Sequence, residues 1–247
     1  MQDPYSLRCI PQVHGASRNA FLHLKQLLIT ELNSVTDNPI VFNSDKSISG
    51  GNFHGQLLAL PLDYAALATA ELGNIADRRI YLSLMDTIEG LPKLLMKETG
   101  LNSGFMIPQY TTAALVSENK SLCFPASADS IPTSLGQEDH VSMGSISARK
   151  ALQIAGNLEK ILGIELFCAA QGFDFRKPLK SGPLINACHD HVRKTIPHID
   201  QDVFLGDYIA SAIQMVQKHE LTAVTSSVAL EKHMEFKNET HELFGIY

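Results

Sequence analysis

The sequence predicts an all-α protein, a bundle of long helices broken by one minor short hairpin. Three observations carry that expectation. Apolar residues recur at three- and four-residue steps through His14–Val35 and again through Gln56–Met85. The stretch from Ile146 to Phe175 is apolar on more than one helical face, with only Arg149, Lys150, Glu159, Lys160, Glu165 and Asp174 as charges. Clusters rich in Gly, Pro, Asn and Ser fall between these stretches rather than within them.

The chain opens with Gln2 to Arg8 around Pro4, which favours an extended or turned backbone over a helix interior. Tyr5 and Arg8 stand three apart, so one turn aims a phenol and a guanidinium at the same place. A guanidinium is suited to gripping a carboxylate through two parallel hydrogen bonds. The plain alternative is a solvated terminus.

The first long helix spans His14 to Val35 and stops at Thr36-Asp37-Asn38-Pro39. Ile40-Val41-Phe42 and Ser47-Ile48-Ser49 form the hairpin. It leads into Gly50-Gly51-Asn52-Phe53-His54-Gly55, a glycine-bracketed loop that presents an aromatic ring and an imidazole and lets the backbone approach a ligand. Phosphate-loop spacings are missing from it. Core packing for Phe53 and a hydrogen-bonded structural role for His54 are the alternatives.

A second helix covers Gln56 to Met85, with Pro61 expected to kink it or delay its start. Asp77-Arg78-Arg79 reads as a salt-bridged face. After a Gly- and Pro-punctuated connection, Asn102-Ser103-Gly104-Phe105-Met106 opens a third helix reaching Lys120. Ser134 followed by Gln137 has the form of a capping box behind Pro132, so the longest helix is expected to begin near Leu135. Glu138 and Asp139 would then occupy its first turn, where the helix dipole favours negative charge. Gln171 to Pro178 ends that helix. Shorter helices follow over Leu184–Thr195 and Gly206–His219, and the charged stretch Leu230–Tyr247 is expected to be peripheral. His189-Asp190-His191 reads as surface, since positions two apart diverge on a helix; no metal site is expected.

The 247 residues, 45% of them hydrophobic, suffice for a substantial core. A formal net charge of −6 offers nucleic acid no electrostatic footprint. Cys9, Cys123, Cys168 and Cys188 are too scattered for a zinc ribbon or a disulfide framework, which makes reduced cytoplasm the simplest setting. With no run of about 18 apolar residues, a membrane partner is not expected. The start does not read as a signal peptide. It runs directly into a compact polar-aromatic string, which suggests a fragment.

Six strings together resemble the aromatic amino acid lyase family: Gln2-Asp3-Pro4-Tyr5-Ser6-Leu7-Arg8, Thr36-Asp37-Asn38-Pro39, Ser49-Gly50-Gly51-Asn52-Phe53-His54, Leu101-Asn102-Ser103-Gly104-Phe105-Met106, Ser117-Glu118-Asn119-Lys120 and Gln137-Glu138-Asp139-His140-Val141-Ser142-Met143. They span residues 2–176 in order and with family-like spacing. Gln137-Glu138-Asp139-His140 resembles the histidine-specific branch; phenylalanine and tyrosine lyases usually carry Asn-Gln-Asp there.

The resemblance implies conversion of L-histidine to trans-urocanate and ammonia by an all-helical homotetramer with a central bundle and active sites shared among three subunits. Residues 1–176 would be the C-terminal half of such a lyase, with bundle and active-site loops, and 177–247 the peripheral helices of the same domain. It further implies Tyr5 as the base, Arg8 as carboxylate anchor, Gln2 lining the site, Phe53 beside electrophile and substrate, and Glu138 near the substrate imidazole or amine. Elimination needs a carboxylate anchor, a β-proton acceptor and a group managing the departing ammonium, jobs for which Arg8, Tyr5 and Glu138 are chemically suited.

The family makes its electrophile, methylidene-imidazolone, from an internal Ala-Ser-Gly. Here Ala16-Ser17 precedes Arg18 and Ala126-Ser127 precedes Ala128, so this chain offers no cofactor-forming triad. The expectation is a chain inactive without the missing N-terminal half. Alternatives are a tyrosine or phenylalanine ammonia-lyase, an aminomutase, or a non-catalytic assembly module.

Overall fold

The computed structural model describes residues 2–235; the remainder of the charged terminal stretch beginning at Leu230 lies outside them. Eight helices appear among the described residues: α1 Tyr5–Arg8, α2 Ile10–Leu32, α3 Gln56–Leu84, α4 Met106–Leu122, α5 Gly144–Phe175, α6 Pro183–Arg193, α7 Gly206–Gln217 and α8 Glu220–Glu231. The hairpin joins β1, Ile40–Asn43, to β2, Lys46–Ile48. Ile40 pairs with Ile48 and Val41 with Ser47, with an irregularity between Val41 and Asn43. Pro61 does not delay α3, which starts at Gln56 and runs through it.

The largest departure from expectation concerns the start of α5. It begins at Gly144, not near Leu135. Ser134 caps no helix: it has φ 50°, Leu135 has φ 57° and Gly136 has φ 88°, a left-handed run that a helix cannot continue. Residues Ser134–Gly136 make only a short 3-10 turn.

The described residues divide into two compact units. One comprises residues 2–9, 73–118 and 156–235; the other comprises 10–72 and 119–155. The first has a core of large side chains, including Ile80, Leu84, Leu95, Met96, Phe105, Ile161, Ile164 and Phe167. The Phe105 and Phe167 ring centroids are 4.6 Å apart. Each such side chain contributes about 1.5–3 kcal/mol by leaving water. Arg79, in the patch read as a salt-bridged face, pairs with Glu165 through Nε at 2.5 Å and Nη2 at 3.1 Å. Asp77 is buried and accepts from the Thr112 hydroxyl at 2.6 Å.

Asp174, near the end of α5, gathers two cations and two imidazoles: Lys177 Nζ at 2.7 Å, Arg193 Nη2 at 2.7 Å, His189 Nε2 at 3.0 Å and His198 Nδ1 at 3.1 Å. Burial works to raise its carboxyl pKa, but Lys177, Arg193 and His198 outweigh it and hold the group at about 2. This corrects the surface reading of His189, which is buried against Asp174, while His191 turns away to Glu220 at 2.7 Å. The two histidines do diverge; one of the two directions leads inward.

The second unit is built differently. Its buried apolar residues, among those described, are Ala20, Ala59, Pro61, Ala65, Ala66, Ala68 and Ile154. Its polar centre is Asp63, buried on α3, which accepts from the Ser127 N–H at 2.7 Å and the Ser147 hydroxyl at 3.0 Å and pairs with Lys150 at 3.1 Å. Burial opposes ionisation there too, yet these donors keep the carboxyl below its ordinary range.

Candidate active site

Tyr5 and Arg8 meet as their spacing predicts. Pro4 is extended, with φ −57° and ψ 155°, and its carbonyl accepts the Leu7 and Arg8 N–H groups to close one turn. The guanidinium carbon of Arg8 then lies 4.6 Å from the Tyr5 ring centroid. Arg8 Nε donates to the Asp3 carbonyl at 2.8 Å, which fixes the stem. Its Nη groups make no hydrogen bond among the described residues, leaving the fork available to an incoming carboxylate. Tyr5 is 70% exposed, and Gln2 is exposed as well.

Phe53 and Glu138 belong to the other unit. The glycine loop carrying Phe53 is tied at its base by Asn38, whose side-chain oxygen accepts the Ser49 hydroxyl and the Gly50 N–H, both at 3.0 Å. Asn52 Nδ2 donates to the Val35 carbonyl at 2.5 Å. Phe53 is 53% exposed, so it presents its ring rather than filling a core. At Gly55 the segments approach closely: a Cβ there would meet Ser142 Oγ at 2.7 Å, so the serine side chain would have to turn away.

Glu138 does not head a helix, a second correction. It closes a tight loop, with Thr133 N–H donating to its carbonyl at 2.9 Å. Its carboxylate Oε2 accepts the Thr133 hydroxyl at 2.5 Å and the Ser134 hydroxyl at 3.0 Å. The Thr133 bond first, then that of Ser134, lowers the carboxyl pKa. The expected direction holds, but hydroxyl donors replace the helix dipole as its cause. Oε1 has no partner among the described residues.

Two contacts that the sequence does not reveal join the glycine loop to the Glu138 segment. His54 Nε2 lies 3.0 Å from the His140 carbonyl, and the two imidazoles stack with centroids 5.4 Å apart. The partners are 86 positions apart, so no local pattern signals them. Thr133 and Ser134 were also missed as carboxylate donors; Ser134 fitted a capping box equally well.

Residues 1–194 match the family described as Aromatic amino acid lyase. Histidine ammonia-lyase from Natranaerobius thermophilus is 52% identical over 225 residues, covering 90% of this chain and 44% of that protein. The crystal structure of histidine ammonia-lyase from Trypanosoma cruzi superposes with a TM-score of 0.91 at 42% identity, over 99% of this chain and 48% of that one. Tyrosine aminomutase from Streptomyces globisporus gives a TM-score of 0.88 at 36% identity, over 96% of this chain and 44% of that one. The chain therefore spans about half the length of the relatives it matches. With a match over more than half its residues, carrying both the Tyr5–Arg8 turn and the Glu138 loop, the chain belongs to the aromatic amino acid lyase family.

Proposed function

We propose that this chain is the C-terminal portion of a histidine ammonia-lyase, converting L-histidine to trans-urocanate and ammonia once the rest of the enzyme is present. The observation that carries the reading is the Tyr5–Arg8 pair, an exposed phenol beside the guanidinium of an exposed arginine. In this reading Arg8 grips the substrate carboxylate, Gln2 lines the site and Tyr5 accepts the β-proton. Glu138, ionised and with Oε1 open, receives an N–H of the substrate imidazole or amine. The histidine ammonia-lyases among its relatives support the choice of substrate.

The exposed face of Phe53 fits beside a flat five-membered ring, as the family's methylidene-imidazolone would require. That group, when present, supplies the electrophile that activates the substrate for loss of ammonia. This chain contains no Ala-Ser-Gly, so the electrophile forms on residues outside it. On α3, Leu57, Leu60, Tyr64 and Leu67 follow coiled-coil spacing and are about half exposed, which supports a homo-oligomer, a tetramer in our reading, sealed along that stripe. Among the described residues no helix is long and apolar enough to cross a membrane, and we place the enzyme in the cytoplasm.

The test mixes the purified chain with an Ala-Ser-Gly-bearing N-terminal half and follows urocanate absorbance. Turnover only in the mixture, and its loss in Arg8→Ala, is expected. Turnover by the chain alone, or a mixture that releases ammonia from tyrosine and not histidine, overturns the reading.

A further inference from the structure

His54 accounts for more of the site's geometry than any residue outside the groups already assigned. Its ring stands just before α3, whose first N–H groups have no partner within the helix. The Gln56 N–H donates to His54 Nδ1 at 3.3 Å, so Nδ1 carries a lone pair. On the opposite edge Nε2 faces the His140 carbonyl at 3.0 Å, and a carbonyl only accepts, so Nε2 carries the proton. The two contacts together fix one neutral tautomer. His140 Nδ1, 3.4 Å from the same Nε2, can share that proton only as an acceptor.

We propose that His54 is a positioning residue: as the neutral Nε2–H tautomer it locks the loop bearing Phe53 to the segment bearing Glu138, setting the spacing between aromatic ring and carboxylate. This rests on the reading of Phe53 and Glu138 as site residues. Phe53 is the next residue before the clamp on one side, and Glu138 lies two residues before it on the other. The close approach of Ser142 to Gly55 brings the same two segments together. A proton on Nδ1 abolishes the acceptor for the Gln56 N–H. Among the described residues, His140 is the titratable side chain facing His54 across this contact, and α3 contributes only the Gln56 amide.

Two side chains separate the clamp from mere bulk. Gln offers both an N–H donor and a carbonyl acceptor, whereas Leu offers neither at similar size. In the full 247-residue chain at neutral pH, nitrogen-15 NMR of the His54 ring is expected to show a protonated Nε2 and a bare Nδ1. A protonated Nδ1 overturns the proposal without any variant. In His54→Leu, hydrogen exchange at the Gln56 and Val141 amides is expected to quicken about ten-fold, a population change worth about 1.4 kcal/mol, while His54→Gln stays near the parent. Unchanged exchange at Val141 in His54→Leu, or no rescue by Gln, overturns the coupling. In the complemented enzyme kcat is expected to fall about ten-fold in His54→Leu and recover in His54→Gln. If the mixture never releases ammonia, the lyase reading fails while the NMR and exchange results still decide the clamp.

Discussion

Gln171 and Ile199 exchange a pair of hydrogen bonds inside the first unit: Gln171 Nε2 donates to the Ile199 carbonyl at 2.8 Å, and the Ile199 N–H donates back to Gln171 Oε1 at 3.1 Å. The same Nε2 also donates to the Leu95 carbonyl at 3.2 Å. One buried amide on α5 thus satisfies backbone groups from two connecting segments. Gln171→Leu keeps the bulk and removes all of these bonds. At about 1 kcal/mol per neutral bond, and more for each buried group left unpaired, the loss is about 3 kcal/mol or more. Urea unfolding followed by tyrosine fluorescence measures it; a change under about 1 kcal/mol contradicts the assignment.

Asp174 predicts an acid-side slope. Its folded value of about 2 lies below the ordinary 3.8, so the unfolded chain binds more protons between those values. Stability is therefore fully present above the ordinary value and falls as pH drops toward about 2. Asp174→Asn should lower the Tm at neutral pH and flatten this slope, with the two proteins converging near the acid end. Parallel curves for parent and variant across that range contradict the prediction.

The hydroxyls of Thr133 and Ser134 set the ionisation of Glu138. Thr133→Val with Ser134→Ala should raise the carboxyl pKa back toward the ordinary glutamate range, read by carbon-13 titration of the side chain. In the complemented enzyme the acid limb of kcat/KM should move to higher pH in the same variant. An unmoved titration would mean that the two hydroxyls do not govern this carboxylate.

At Gly163 α5 runs close against the α7 backbone. A Cβ there would stand 2.8 Å from the Ile213 Cα and backbone nitrogen, atoms that move only if the helix does. Gly163→Ala should destabilise the first unit by about 1–3 kcal/mol, the range for overpacking, despite the better helix propensity of alanine. A raised Tm would show that α7 yields without cost.

The long helices were legible because their apolar spacing is local. α3 starts at Gln56 as expected, and α5 ends at Phe175, inside the Gln171–Pro178 stop. Tyr5 and Arg8 were legible for the same reason, one turn being all they require. The start of α5 was not, because Ser134-Leu135-Gly136-Gln137 satisfies the capping pattern while its backbone takes positive φ, a choice leucine seldom makes. The polar cluster around Asp174 and the His54–His140 stack join distant positions through tertiary packing, and no spacing rule reaches them. His189 shows the cost of reasoning from one helix alone: its neighbours Phe173 and Asp174 on α5 decide that it is inside.

Alanines fill the interior of the second unit while leucines and a tyrosine line the outer stripe of α3. A small methyl gives up far less water-exposed area than a leucine side chain, so that unit holds itself together with little transfer free energy. Calorimetry should accordingly resolve an early endotherm from it, ahead of the unit centred on Phe105 and Phe167. With the homo-oligomer proposed above, the midpoint of that early peak should climb with protein concentration, since association along the stripe would provide the burial that unit's own interior omits.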